Sequence, residues 1–296
     1  MGEIVGVGLV SHAPTIMFDE PTRRELNEGK EISLVPGLRR LRSEVLDRLR
    51  PDTVVILDTH WFTTVEHVVS AHEHRAGKMT SSELPRGMKQ VPYSYPGDPE
   101  LARLIAEHGN ALGTPTHPED DPYLPVYYAT VNLVTYLHEG ERIVSISIVQ
   151  TGEDDDFLTL GRAIGAAVEE SDRRVVVLAS GGLSHTFHRL KDLSDHEASD
   201  PQHIITPEAR QADEERIAWM ESGDHARIID EMDAYHLHNP EGGFGHYLAM
   251  VAAVGGRDCT AAGERFSDYE NATGTGQVHV WFERPGGGWT AEGGPG

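Results

Sequence analysis

Three short runs of this chain are apolar at nearly every position and rich in β-branched residues: 3–10 (EIVGVGLV), 53–57 (TVVIL) and 174–179 (RVVVLA). Runs of this length without alternation predict strands of a parallel sheet, covered on both faces. Each ends abruptly, and a histidine follows. His12 lies in Ser11-His12-Ala13-Pro14, His60 in Asp58-Thr59-His60-Trp61, and His185 after Ser180-Gly181-Gly182-Leu183-Ser184. In an open α/β sheet the ligand binds beyond the carboxyl ends of the strands. The pattern predicts that the three histidines share one cleft, as a metal or acid–base site.

Helical patterns fall between the strands. Residues 36–49 carry apolar positions at helical spacing and stop before Pro51. Residues 98–112 open on Asp98-Pro99, an N-cap followed by a proline in the first turn. Further helices are predicted over 127–137, 156–170, 207–222, 224–232 and 244–253, and further strands over 66–70, 142–149 and 278–282. Residues 76–97, with three prolines, predict a long loop of the lid or binding kind. This alternation predicts an α/β fold, a single domain whose central, mainly parallel sheet is flanked by helices. The Gly-rich stretch 286–296 predicts a disordered tail.

Charge narrows the partners. Lysine and arginine number 25 against 48 aspartates and glutamates, a net charge of −23. Nucleic acid and anionic membrane surfaces both demand clustered positive charge, so neither is expected as a partner. Cys259 is the single cysteine. A thiolate zinc site or an iron–sulfur cluster cannot be built from it, and any metal must be held by nitrogen and oxygen. Neither a secretory leader nor a membrane span is legible, which predicts a soluble, cytoplasmic protein.

Each candidate residue also has a plain structural reading. His12 could simply hydrogen-bond where a strand turns. Beside His60, Trp61 could wall a pocket and Asp58 could orient the imidazole. Before His185, Gly181 and Gly182 permit a tight turn and close backbone approach to a ligand. Two imidazoles with one carboxylate suit non-haem iron(II), and several carboxylates are eligible. Glu241 stands out between Pro240 and Gly242-Gly243 at the mouth of an apolar helix, where it could equally be an ordinary helix N-terminal charge. His236, His238 and His246 are rival ligands, although none follows a buried strand.

The chain resembles the class III extradiol ring-cleavage dioxygenases, the superfamily of the protocatechuate 4,5-dioxygenase β subunit. Within it, the likeness is to the branch of iron-dependent 3,4-dihydroxyphenylacetate (homoprotocatechuate) 2,3-dioxygenases. The three histidine motifs carry the superfamily resemblance, with Pro99-Glu100-Leu101 and Val144-Ser145-Ile146-Ser147 between them. Thr80-Ser81-Ser82-Glu83-Leu84-Pro85 and Gly274-Thr275-Gly276-Gln277-Val278 narrow it to the branch. The resemblance implies a catalytic domain over 1–285, with His12, His60 and Glu241 as ligands of Fe(II). It implies His185 as a non-ligand acid–base catalyst and Tyr128 near the substrate, although Ala129 stands where the family pattern has glycine. The implied partners are a catechol and O2, and the implied assembly is a homo-oligomer. The implied reaction converts 3,4-dihydroxyphenylacetate to 5-carboxymethyl-2-hydroxymuconate semialdehyde. Protocatechuate, catechol or 2-aminophenol are alternative substrates, and a non-catalytic or zinc-binding member of the same fold is a further alternative.

Overall fold

Apolar runs with β-branched side chains suit the pleated, doubly covered centre of a sheet, and here they occupy it. The computed structural model describes residues 1–290. Its strands are β1 (Glu3–Val10), β2 (Thr53–Thr63), β3 (His67–Ser70), β4 (His74–Met79), β5 (Val91–Pro96), β6 (Thr116–Glu119), β7 (Arg142–Val149), β8 (Arg174–Ser180), β9 (Gly263–Arg265), β10 (Glu270–Ala272), β11 (Thr275–Gln277) and β12 (Val280–Glu283). Eight form the central sheet, in the order β6-β3-β7-β2-β8-β1-β12-β9. The four central strands, β7-β2-β8-β1, pair in parallel. Strands β3 and β12 join them antiparallel, one at each side.

Alternate residues of one strand feed opposite cores. Val55, Leu57, Val175 and Val177 pack with helices Pro99–Leu112, Asp154–Glu170 and Gly245–Ala252. Val54, Ile56, Val176 and Leu178 pack with the helical stretch 34–49 and with helix Tyr128–Leu137. Full burial of each such side chain is worth about 1.5–3 kcal/mol. The sheet is therefore a rigid platform, and its carboxyl edge is fixed by both cores. Asp98 caps its helix as predicted, accepting from Leu101 N at 3.2 Å, and it also accepts from Thr53 Oγ1 at 2.8 Å and Arg173 Nε at 2.9 Å.

The structure departs from the sequence reading in several places. Both ends of the expected loop 76–97 form a two-stranded antiparallel ribbon, β4 paired with β5, with the tip 80–90 between the strands. Strand β4 carries no apolar alternation, and prolines 92 and 96 argued against a strand in β5. Strand β6, in a segment for which no element was predicted, pairs with β3. Strand β2 runs past Leu57 to Thr63. The tail expected to be disordered from 286 is docked as far as Thr290: Trp289 Nε1 donates to Ile4 O at 3.1 Å, and Thr290 bridges Cys259. An aromatic side chain with a hydrogen bond outweighs the glycines around it. The rest of the tail, 291–296, lies outside the described residues. Among the described residues no helix is long and apolar enough to cross a membrane.

One buried histidine ties the platform together. His279, between β11 and β12, accepts from Ser11 N at Nδ1 (3.1 Å) and donates from Nε2 to Leu34 O (3.0 Å). Burial pushes its pKa down to about 4. The unfolded chain takes up this proton near pH 6.5 and the folded chain does not, so stability is full above that pH and falls as pH drops toward 4. The contribution lost between pH 7 and pH 5 is about 2 kcal/mol. Denaturant unfolding at the two pH values should show a smaller acid loss for His279→Gln than for the wild type.

Candidate metal centre

Strands β2, β8 and β1 are neighbours in the sheet, so their carboxyl ends lie side by side. His12 follows β1 by two residues, in a turn tied down from several directions. Ser11 N donates to His279, the Ser11 hydroxyl to Gln277 Oε1, and Asn132 Nδ2 to His12 O at 2.8 Å. His12 Nδ1 lies 3.0 Å from Ser180 Oγ, whose own proton goes to Ala129 O. His12 therefore donates from Nδ1 and keeps the Nε2 lone pair free.

His60 is delivered by a bulge. On β7, Ser147 and Ile148 face Asp58 and Phe62 of β2, so Thr59, His60 and Trp61 loop out of register. Bulges of this kind re-aim side chains beside active sites. Asp58 does not orient the imidazole, as its position suggested. Its carboxylate accepts the backbone N–H groups of His60 (2.9 Å), Trp61 (3.0 Å) and Thr130 (3.0 Å), and the Thr130 hydroxyl (2.7 Å). The bulge and the first turn of helix Tyr128–Leu137 leave N–H groups without backbone partners, and Asp58 satisfies both.

Glu241 reaches the same point from the far end of the chain. Three consecutive residues after it, Gly242 (φ 56°), Gly243 (φ 63°) and Phe244 (φ 62°), are left-handed. This single reversed turn separates Glu241 from helix Gly245–Ala252, so the side chain points at the sheet edge instead of capping the helix. Glu241 Oε1 lies 3.3 Å from His12 Nε2 and 3.5 Å from His60 Nε2, and the Thr59 hydroxyl donates to it. Oε2 accepts from Gly182 N at 2.6 Å. Burial opposes ionisation, but the imidazoles of His12, His185 and His60 outweigh it and hold the carboxyl well below the usual range.

The donor atoms of His12, His60 and Glu241 all lie within 4.8 Å of one another. Donors bound to one ion at about 2.1 Å sit about 3 Å apart, so small adjustments would seat a divalent cation. Two imidazole nitrogens and one carboxylate oxygen fit iron(II) or zinc.

Two further predicted residues border this set. Tyr128 opens its helix with its hydroxyl 2.5 Å from His60 Nε2 and 3.2 Å from Glu83 Oε2. Burial and the carboxylates of Glu83 and Glu241 raise its pKa far above the ordinary value, so it is a neutral phenol. His185 is half-buried, anchored by its own N–H to Asn239 O at 3.0 Å, and lies edge-on to Phe187. Burial lowers its pKa, against the pull of Glu241. At neutral pH its imidazole is uncharged and can accept a proton.

The rival histidines lie elsewhere. His236 pairs with Asp154 at the surface, and His238 is not among the grouped donors. His246 is buried behind the site, facing Gly182 O at 3.2 Å, with burial pushing its pKa down to about 4. Sequence reasoning assigned no role to Thr59, Ser180, Asn132 or Glu83, which surround the three donors. Adjacency to His60 marked Thr59, and the Ser180-Gly181-Gly182 turn marked Ser180. Nothing local marked Asn132.

The family model "Catalytic LigB subunit of aromatic ring-opening dioxygenase" matches residues 6–283. The chain is 30% identical over 239 residues to the 3,4-dihydroxyphenylacetate 2,3-dioxygenase of Escherichia coli, covering 79% of this chain and 84% of that protein. It is 29% identical over 202 residues to the 2-aminophenol 1,6-dioxygenase beta subunit of a Pseudomonas species, covering 63% and 65% respectively. To the 4,5-DOPA dioxygenase extradiol of Portulaca grandiflora it is 25% identical over 214 residues, covering 70% and 73%. The crystal structure of an uncharacterised protein from Escherichia coli K12 superposes with a TM-score of 0.60 at 17% identity, covering 94% of this chain and 99% of that one.

The reversed turn yields a paired test. A Cβ on Gly242 would sit 3.2 Å from Thr59 Cγ2, whereas one on Gly243 would meet nothing within 4 Å. Both alanines bear a left-handed backbone cost of about 1–2 kcal/mol. Thermal unfolding should therefore show both variants destabilised. Gly242→Ala alone should also bind a divalent metal more weakly, because it displaces Thr59 and with it Glu241.

Proposed function

Because this chain belongs to the family of catalytic LigB subunits of aromatic ring-opening dioxygenases and is an extradiol ring-cleaving dioxygenase, we propose that it opens 3,4-dihydroxyphenylacetate with iron(II) held by His12, His60 and Glu241. One observation carries the metal reading: three donors from distant parts of the chain, His12, His60 and Glu241, come within 4.8 Å of one another. Two histidines and one carboxylate are the donor set of iron(II) oxygenases that keep positions open for substrate and dioxygen. Likeness to the Escherichia coli relative supports the substrate.

When bound, iron(II) supplies one centre on which both catechol oxygens and dioxygen can assemble and through which electrons leave the ring. The remaining work falls to the chain. His185 accepts a proton from a catechol hydroxyl as the substrate binds and returns it as the O–O bond breaks. Tyr128, a neutral phenol beside His60, donates a hydrogen bond to substrate oxygen. Ser180 and Asn132 keep the His12 ring and backbone fixed while these protons move. The balance is one catechol and one O2 giving one ring-opened hydroxymuconate semialdehyde, with the bond beside the diol broken and both oxygen atoms retained. We place this activity in the cytoplasm and in a homo-oligomer.

Oxygen uptake by anaerobically prepared, iron(II)-loaded protein is the direct test. One O2 consumed per 3,4-dihydroxyphenylacetate, with a yellow product, is the expected result. Faster turnover of 2-aminophenol or protocatechuate would reassign the substrate, and activity with no catechol would overturn the reading. His185→Ala should keep its metal and lose about 10²–10⁴-fold in turnover. Metal analysis should find His12→Ala and Glu241→Ala depleted. If His185→Ala is equally depleted, His185 is a ligand and its acid–base role falls.

A further inference from the structure

The β4–β5 ribbon ends in a tip, 80–90, that contributes one carboxylate to the site. Glu83 Oε1 lies 3.1 Å from His60 Nδ1, and Oε2 lies 3.2 Å from the Tyr128 hydroxyl. The tip is built to hold this carboxylate in place. Ser81 Oγ accepts from the N–H groups of Glu83 and Leu84, and Ser81 N donates to Met88 O. Met88 is fully buried, seated against Tyr128 and Val131, and it meets Asn132 Nδ2 through its sulfur at 3.6 Å. The helix that fixes His12 through Asn132 thus also anchors the ribbon tip.

We propose that Glu83 is a positioning residue of the metal centre, accepting the His60 Nδ1–H so that Nε2 presents its lone pair to the ion. The inference rests on the reading of His12, His60 and Glu241 as ligands. A hydrogen bond from the far nitrogen selects the tautomer and ring orientation of a ligand histidine, and a carboxylate acceptor raises its basicity. At the corresponding nitrogen, His12 Nδ1–H donates only to the neutral Ser180 hydroxyl oxygen. The two histidines are therefore unequal donors, and His60 is the stronger. Glu83 is 59% exposed, and an ion pair so open to water adds little to folding stability. Its effect falls on the imidazole.

The test measures metal affinity in the full-length apo protein, with no catechol present. Zinc(II) and cobalt(II) are titrated in competition with a chromophoric chelator into wild type, Glu83→Gln, Glu83→Ala and His12→Ala, and apo melting temperatures are recorded. Glu83→Ala should bind about 10–100-fold more weakly than wild type while melting at the same temperature. Glu83→Gln, which keeps an acceptor oxygen without the charge, should fall between them. Wild-type affinity in Glu83→Ala overturns the inference, and loss of binding in His12→Ala then leaves the metal centre standing. A markedly lower melting temperature for apo Glu83→Ala also overturns it, because the contact then serves the fold. Absence of binding in the wild type overturns both readings.

Discussion

A carboxylate that remains ionised with almost no access to water must be compensated on every side, and much of this architecture follows from how Glu241 is compensated. Removing such a charge from water costs several kcal/mol, recovered only where its oxygens find donors and opposite charge. Glu241 finds the Gly182 N–H beyond β8 and the Thr59 hydroxyl in the β2 bulge, and its Oε1 faces the Nε2 atoms of His12 and His60, where a bound cation would complete the compensation. These groups come together only because β2, β8 and β1 are adjacent and point the same way. A parallel sheet brings the ends of strands distant in sequence to a single edge. Here that edge is where the negative charge is placed.

Strand ends and bulges carry a second cost, backbone N–H and C=O groups that have left the ladder. Around this site side chains answer them. Asp58 takes the N–H groups of the bulge, His279 takes Ser11 N, and Asn132 gives to His12 O. None of these three needs to touch a reacting atom. By satisfying the edge they leave the ligand side chains few conformations to choose from, which is the preorganisation that catalysis requires.

What was legible in the chain divides along physical lines. The doubly covered strands could be read because burial on both faces leaves an unbroken apolar run, as in 174–179. His12 and His60, grouped with Glu241 in the structure, could be read because they follow such runs. Glu241 was a candidate by its Pro-Gly-Gly setting, and family likeness singled it out. The β4–β5 ribbon could not be read, since β4 is largely solvent-facing without apolar alternation and β5 is interrupted by proline. The role of Asp58 was misread because its partners are backbone groups brought close only by the bulge. Glu83 lay in a stretch quoted for its resemblance, yet its contact with His60 depends on a ribbon seated by Met88 on another helix.

The left-handed turn after Glu241 has consequences for how this chain can vary. Residues 242–244 run against the handedness that L-amino acids prefer, and Phe244 does so with a full side chain buried in the core. A ligand residue can often be exchanged for another donor, but this backbone cannot be re-created by most residues. Drift at 242 would strain the turn and press on Thr59, disturbing the carboxylate while leaving Glu241 itself unaltered. The narrowest mutational bottleneck of the site is thus a single position with no side chain.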